Sequence, residues 1–80
     1  MKKNILLIED DKDISELISY NLKKENFNVI TAYDGEEALN LIKDNVIDLI
    51  ILDLMLPSVS GIDLLKYIKR DEKTKNIPVI

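Results

Sequence analysis

The sequence predicts a doubly wound α/β fold, in which helices cover both faces of a parallel β-sheet. Two observations carry this prediction. Short apolar runs of strand length alternate along the chain with longer segments in which apolar residues recur every three or four positions, as on one face of a helix. The resulting order is strand, helix, strand, helix, strand, helix, strand, and right-handed crossovers turn that order into a parallel sheet with helices on both sides.

The first strand and helix occupy the beginning of the chain. Residues 4–9 form a short apolar run, which by its length and β-branched content is typical of a strand buried on both faces. Helical spacing follows, with charged residues between the apolar ones. The inward face of this first helix is predicted to consist of Ile14, Leu17, Ile18 and Leu22.

Capping signals mark the starts of two helices. Asp13 is followed three positions later by Glu16, which resembles a capping box for the first helix, although Asp11 marks an equally good start. Asp34 is followed in the same way by Glu37, and the Asp-Gly pair that begins there indicates a turn. The second helix is therefore predicted to begin at this turn.

Three further strands and two further helix faces complete the predicted fold. The second, third and fourth strands are predicted at residues 27–32, 48–52 and 77–80, the last being only the opening of a strand. Ser60 is a predicted N-cap for the third helix, which runs to about Arg70. The predicted inward residues are Ala38, Leu39 and Ile42 in the second helix, and Ile62, Leu65 and Ile68 in the third.

The composition narrows the possible functions. The chain has 80 residues, 46% of them hydrophobic and 32% charged, which indicates one globular domain or part of one rather than disorder or a coiled coil. It contains no cysteine and no histidine, which excludes disulfides, thiolate zinc sites and histidine bases. The net charge of -4 disfavours direct binding of a nucleic-acid backbone. Because no apolar run is long enough for a membrane span, we expect a soluble, cytoplasmic protein.

Acidic residues stand at the ends of two strands that this fold makes neighbours. Glu9 and Asp10 follow the first strand, and Asp53 follows the third. In a doubly wound sheet of order 2-1-3-4-5, ligands bind outside the carboxyl ends of strands one and three. The three carboxylates are therefore predicted to converge, which suits a hard divalent ion such as magnesium. One of them is also a candidate nucleophile towards a phosphoryl group.

Three motifs resemble the receiver domain of bacterial two-component response regulators: IEDD after the first strand, LDLMLP at the third strand, and SGIDLL at the start of the following helix. The resemblance implies a flavodoxin-like receiver fold with Asp53 as phosphoacceptor. It also implies a Mg²⁺ site formed by Glu9, Asp10, Asp53 and the backbone carbonyl of Met55. The pairing of Glu9 with Asp10, together with Met55, is similar to regulators that carry a winged-helix DNA-binding domain.

The same resemblance implies partners. A sensor histidine kinase would donate the phosphoryl group, and an output domain, a DNA-binding transcription regulator, would respond to it. The protein would be a phosphoacceptor rather than an enzyme, because any phosphotransfer is directed to itself.

The family also places a Ser or Thr at the end of its fourth strand and a Lys at the end of its fifth, beyond Ile80 of this sequence. We therefore expect residues 1–80 to be an incomplete receiver domain, a fragment of four strands and three helices that is truncated after the start of strand four and lacks its output domain. An uncovered face of the sheet and an open strand edge then predict self-association or exchange of elements between chains.

The residues alone leave two other functions possible. One is a receiver-like interaction module that binds neither metal nor phosphate. The other is a phosphohydrolase with an aspartyl intermediate, which is disfavoured because Met55 stands where haloacid-dehalogenase-type phosphatases have a second Asp. Glu9 to Asp11 would, taken alone, form an ordinary turn with Asp11 as a helix cap. A basic cluster interrupted by acids is interpreted as a solvated helix end: Lys66, Lys69, Arg70, Lys73 and Lys75.

Overall fold

The computed structural model describes residues 2–53 and 61–80. Strands and helices alternate along this part of the chain, as predicted. They are β1 (Asn4–Ile8), α1 (Lys12–Lys24), β2 (Asn28–Ala32), α2 (Gly35–Asp44), β3 (Leu49–Leu52) and α3 (Gly61–Arg70).

The sheet is parallel and has β1 at its centre, in the order β2-β1-β3. Val79 adds the opening of a fourth strand, because it forms a parallel bridge with Ile50 of β3. The amide of Ile50 donates to the carbonyl of Pro78 at 2.9 Å, and the amide of Ile80 donates back to Ile50 at 2.9 Å. The predicted order of the first four strands, 2-1-3-4, is confirmed.

Side-chain caps fix where α1 and α2 begin. Asp11 is the N-cap of α1, since its carboxylate accepts hydrogen bonds from the amides of Asp13 and Ile14 at 2.9 and 3.1 Å. The alternative start at Asp11 is therefore the correct one, and the proposed Asp13 cap is wrong. Asp34 caps α2 by accepting from the Glu37 amide at 2.8 Å, so the second capping prediction is confirmed. Ser60 lies outside the described residues.

The main hydrophobic core lies on the face of the sheet that α2 and α3 cover. Ile68 and Leu64 of α3 are fully buried there. Leu39 and Ile42 of α2 pack against this core, as predicted. Ile62 is 53% exposed, so its predicted inward position is wrong, and the neighbouring Leu64 takes that role. The core consists of Leu6, Ile8, Ala32, Ala38, Ile47, Ile50, Leu64 and Ile68.

The opposite face of the sheet is covered by α1, and its contact surface differs from the predicted one. Ser15 and Ser19 are the buried residues of this helix. Ile14 is 45% exposed and Leu17 is 63% exposed, so the prediction that both face inward is wrong. The side chains that α1 buries are thus small hydroxyl groups rather than large apolar ones. Its larger apolar residues Ile14 and Leu17 lie away from this contact.

The basic residues in the last turn of α3 and after it take part in ordinary terminal contacts. Lys69 donates its ammonium to the carbonyl of Ile77 at 2.9 Å, and Lys75 forms an ion pair with Glu72 at 2.8 Å. The buried hydroxyl of Thr74 donates to the carbonyl of Ile68 at 2.6 Å, which satisfies the end of the helix. These contacts fit the interpretation as a solvated helix end. Among the helices in the described ranges, none combines the length and apolar character that a membrane crossing requires.

Candidate functional site at the carboxyl end of the sheet

The central strands bring the predicted acidic residues to one edge of the sheet. Ile8 at the end of β1 lies opposite Leu52 at the end of β3. The residues that follow them continue the ladder, because the Asp53 amide donates to the carbonyl of Ile8 at 2.9 Å. The Glu9 amide donates to the carbonyl of Ala32 at 3.0 Å, which ties the same corner to β2. The backbones that carry Glu9 and Asp53 are thus held by the sheet rather than by a free loop.

Three carboxylates converge at this edge. Glu9, Asp10 and Asp53 each place one carboxylate oxygen so that all three oxygens lie within 4.8 Å of one another. Glu9 and Asp53 are half-buried, whereas Asp10 is exposed. The three carboxylates that the sequence predicted to converge therefore do lie together, at a site that is open to solvent on one side and supported by the sheet on the other.

The crowding of carboxylates shifts the titration of Glu9. A side-chain hydrogen bond with Asp53, partial burial and the negative charge of Asp53 raise the pKa of Glu9 from its ordinary 4.5 to about 7. A smaller effect in the opposite direction comes from the backbone of Asp11. Near neutral pH Glu9 therefore still holds its proton in part of the molecules. A cation at the site would take the place of that proton.

Asp11, the third acid of the opening motif, is not part of the cluster. Its carboxylate accepts the two amide hydrogen bonds that begin α1, and it is exposed. For Asp11, the interpretation of Glu9 to Asp11 as an ordinary turn with a capping Asp is therefore correct. It does not account for Glu9 and Asp10, whose carboxylates face Asp53.

The donor set fits a hard divalent cation. All three side chains offer oxygen, which is the ligand type that Mg²⁺ selects. The three oxygens lie within 4.8 Å of one another, so Glu9, Asp10 and Asp53 are the residues that would hold such an ion. The exposed side of the site leaves room for the waters that Mg²⁺ retains. Met55, whose backbone carbonyl was predicted as a further ligand, lies outside the described residues.

Two residues that sequence reasoning did not assign to the site lie at the same edge. Tyr33 follows β2, and Lys12 is the first residue of α1. The ammonium of Lys12 lies 5.6 Å from the centroid of the Tyr33 ring, within range of a cation–π interaction. The backbone amide of Tyr33 donates to Glu37 at 2.7 Å. No local pattern in the sequence indicates this pair, because it forms only when β2 and α1 meet.

The fold agrees with a comparison to known protein families. The family model described as "Response regulator receiver domain" matches residues 5–80. The chain belongs to this family. Its predicted flavodoxin-like receiver fold and its relation to two-component signalling are thereby confirmed.

Curated relatives of the domain are transcriptional regulators. The chain is 47% identical over 75 residues to "Uncharacterized transcriptional regulatory protein YcbL" of Bacillus subtilis, covering 94% of this chain and 32% of that protein. It is also 47% identical over 76 residues to "Transcriptional regulatory protein CpxR" of Escherichia coli K12, covering 95% of this chain and 31% of that protein. The chain thus spans about a third of the length of these relatives.

Solved receiver structures share the same architecture. The response regulator TrrA from Thermotoga maritima superposes with a TM-score of 0.84 at 37% identity, over 89% of this chain and 62% of that one. The TrrA structure was determined in complex with Mg²⁺-BeF. The likeness extends the family assignment from the sequence to the fold of the described residues.

Proposed function

We propose that this receiver domain is the phosphoacceptor module of a two-component phosphorelay. It takes a phosphoryl group on Asp53 from a sensor histidine kinase, with Mg²⁺ bound at Glu9, Asp10 and Asp53, and switches an output domain that is a DNA-binding transcription regulator. The observation that carries the proposal is the convergence of these three carboxylates at the ends of adjacent central strands. The names of the curated relatives support the transcriptional output.

The chemistry asks three things of these residues. Asp53 must present an ionised carboxylate oxygen to the phosphorus of a phosphohistidine. An O–P bond then forms on Asp53 while the P–N bond of the donor breaks and its electron pair returns to the imidazole nitrogen. Glu9 and Asp10 would hold the cation, whose positive charge when bound offsets the charge on the transferring oxygens. Because the pKa of Glu9 is about 7, loss of its proton as the pH rises through neutrality would free its carboxylate for that ion.

The proposed reaction leaves the acceptor modified, so the domain is not an enzyme in the turnover sense. Sustained phosphate release would instead indicate the phosphohydrolase alternative. The sequence disfavours that alternative because Met55 stands at the position where such phosphatases have a second Asp. The family assignment also supports a cytoplasmic location as part of this proposal.

The direct test is the intact mass of the protein after incubation with acetyl phosphate, with and without Mg²⁺. We expect a single phosphoryl adduct on the wild type that requires Mg²⁺, and no adduct on Asp53→Asn. Asp63→Asn is a matched control, because Asp63 is an exposed acid in the first turn of α3 and lies outside the cluster. This control should be modified like the wild type.

The outcomes separate the candidate functions. An adduct that persists in Asp53→Asn would contradict the assignment of the acceptor. Absence of an adduct both from these 80 residues and from a protein that continues past Ile80 would favour the non-phosphorylated interaction module. Steady release of inorganic phosphate in excess of the protein would favour the phosphohydrolase.

A further inference from the structure

The charges at the carboxyl edge of the sheet are almost all negative. Acids follow each of the three strands and occupy the first turns of the helices, and Lys12 is the one cation among the described residues at these positions. The acids are Glu9, Asp10, Asp11, Asp13, Asp34, Glu36, Glu37, Asp53 and Asp63. A phosphoryl donor is itself an anion, so this edge repels the group that the proposed phosphoacceptor must receive.

Bound Mg²⁺ would offset only part of this negative charge. The ion carries two positive charges, whereas Glu9, Asp10 and Asp53 carry three negative charges when all of them are ionised. The acids around the cluster add to the excess. A further cation at the same edge would therefore favour the approach of a phosphoryl donor.

Lys12 belongs to the same corner of the fold as the acidic cluster. It comes two residues after Asp10 in the chain and is the first residue of α1. Its ring partner Tyr33 follows the last paired residue of β2, and Glu9 follows the last paired residue of β1, so the two lie side by side at the ends of adjacent strands. The cation is therefore a neighbour of the cluster in space as well as in sequence.

The ammonium of Lys12 is held in place without being neutralised. It lies 5.6 Å from the centroid of the Tyr33 ring. Tyr33 is half-buried, and its backbone amide donates to Glu37 at 2.7 Å, which fixes the residue that carries the ring. No ion pair between Lys12 and a carboxylate is found among the described residues. A ring attracts a cation without adding a net negative charge, so the exposed ammonium keeps its charge for an anion.

We propose that Lys12, held over Tyr33, is a donor-binding residue that attracts the anionic phosphoryl donor to the acidic edge. The inference rests on the proposed phosphoacceptor function and deepens it by naming a residue that recruits the donor. Lys12 acts before any bond changes, and Tyr33 is its positioning residue. With acetyl phosphate as donor, an O–P bond then forms on Asp53 while the P–O bond to the acetyl group breaks and its electron pair leaves with acetate.

The rate of adduct formation at low acetyl phosphate concentration, with Mg²⁺ in excess, tests this role. The measurement uses residues 1–80 or the protein that continues past Ile80, whichever accepts the phosphoryl group. Lys12→Met removes the charge and keeps an unbranched side chain, so we expect the second-order rate constant to fall about threefold. Lys12→Arg keeps the charge and should retain the wild-type rate. Circular dichroism of each variant checks that the fold is kept.

The chain contains a matched control at the other end of α1. Lys24, the last residue of the helix, lies 5.5 Å from the centroid of the Tyr20 ring. Lys24→Met thus removes an equivalent cation–π pair and the same charge away from the acidic edge, and it should leave the rate constant unchanged. Tyr33→Leu should lower the rate constant less than Lys12→Met does, because it releases the ammonium without removing it. Tyr33→Phe keeps the ring and should behave like the wild type.

Salt separates attraction by charge from a loss of structure. In ~1 M salt, where the Debye length is about 3 Å, the difference between the wild type and Lys12→Met should disappear. A difference that persists in high salt, equal rates for these two proteins in low salt, or an equal decrease in Lys24→Met would overturn the donor-binding role and leave the proposed function intact. Absence of an adduct from both wild-type proteins would overturn the two together.

Discussion

The two faces of the sheet are built in different ways. The face under α2 and α3 buries large aliphatic side chains, including Ile50, Leu64 and Ile68. The face under α1 buries Ser15 and Ser19 from the helix side. All three helices have amphipathic sequences, but the fully buried apolar helix residues belong to α2 and α3, whereas on the α1 side the fully buried apolar residues are Ile5 and Leu7 of β1. The comparison shows that helical periodicity identifies a helix without identifying which of its stripes meets the sheet.

The difference has an energetic consequence. Burial of apolar area is the main favourable contribution to folding, so most of the stability of this domain should come from the α2 and α3 side. On the α1 side, the hydroxyl of Ser15 is buried and has no hydrogen-bond partner among the residues that the structure describes. That hydroxyl costs free energy instead of contributing it.

The largest expected effect is a loss of stability from Leu64→Ala. Leu64 is fully buried in the core, so its truncation should lower the free energy of unfolding by about 2 to 5 kcal/mol. Leu17→Ala on α1 should change it by less than about 0.5 kcal/mol, because Leu17 is mostly exposed. Urea unfolding at low protein concentration measures both. Equal losses in the two variants would contradict the assignment of the core to one face.

A gain in stability is expected from Ser15→Ala. The substitution removes a buried hydroxyl without a partner and raises helix propensity, so we expect an increase of about 1 kcal/mol in the free energy of unfolding. Ser19→Ala is the matched control on the same stripe of α1, where propensity alone should give a smaller gain. Thermal unfolding monitored by circular dichroism distinguishes them. A lower melting temperature for Ser15→Ala would indicate that its hydroxyl has a partner after all.

The helix caps allow the two faces to be compared through equivalent residues. Asp11→Ala removes the cap of α1, and Asp34→Ala removes the cap of α2. Each should cost about 1 kcal/mol. Because α1 has less apolar packing to hold it, amide hydrogen exchange in its first turn should rise more in Asp11→Ala than exchange in α2 rises in Asp34→Ala. The reverse order would mean that packing on the α1 face is stronger than its buried residues indicate.

The smallest change in stability is expected from the titration of Glu9, at the carboxyl edge of the sheet. The pKa of Glu9 is about 7 in the folded protein and near 4.5 when unfolded, so the folded state holds this proton more tightly. Stability should therefore fall as pH rises from about 4.5 to 7 and then level off. Water screens these half-buried groups, and we expect a change under about 1 kcal/mol.

Asp53→Asn tests the cause of this pH dependence. The substitution removes the negative charge that Glu9 faces, so the metal-free variant should be more stable than the wild type above pH 7, and its pH dependence should be flatter. Melting temperatures across this pH range provide the measurement. A melting temperature for the variant that equals or falls below that of the wild type above pH 7 would show that carboxylate repulsion is not its source.

Much of the fold could be predicted because its signals are local. Strand-length apolar runs, helical spacing and the Asp34 cap each act within a few residues, and the structure has them within one or two positions. The inward stripe of α1 could not be predicted in the same way. The burial of Ser15 and Ser19 depends on which side of α1 meets the sheet, which is a property of tertiary packing. In α3, the buried position is Leu64 rather than the predicted Ile62, and this too depends on which side of the helix meets the sheet.

The acidic cluster could be predicted because two separate strands end in acids. The adjacency of β1 and β3 follows from the doubly wound order, and that adjacency brings Glu9 and Asp10 to Asp53. Sequence reasoning could not supply the raised pKa of Glu9, which depends on the position of its side chain beside Asp53. It also could not supply the Lys12–Tyr33 pair, which depends on how α1 meets β2.

Calorimetric titration with Mg²⁺ above pH 7, where Glu9 is ionised, tests the central claim most directly. That claim is that Glu9, Asp10 and Asp53 form a single cation site. We predict one-site binding to the wild type, strongly weakened in Asp10→Asn and in Asp53→Asn, and unchanged in Asp63→Asn. Equal binding by all four proteins, or no binding by the wild type, would contradict the claim.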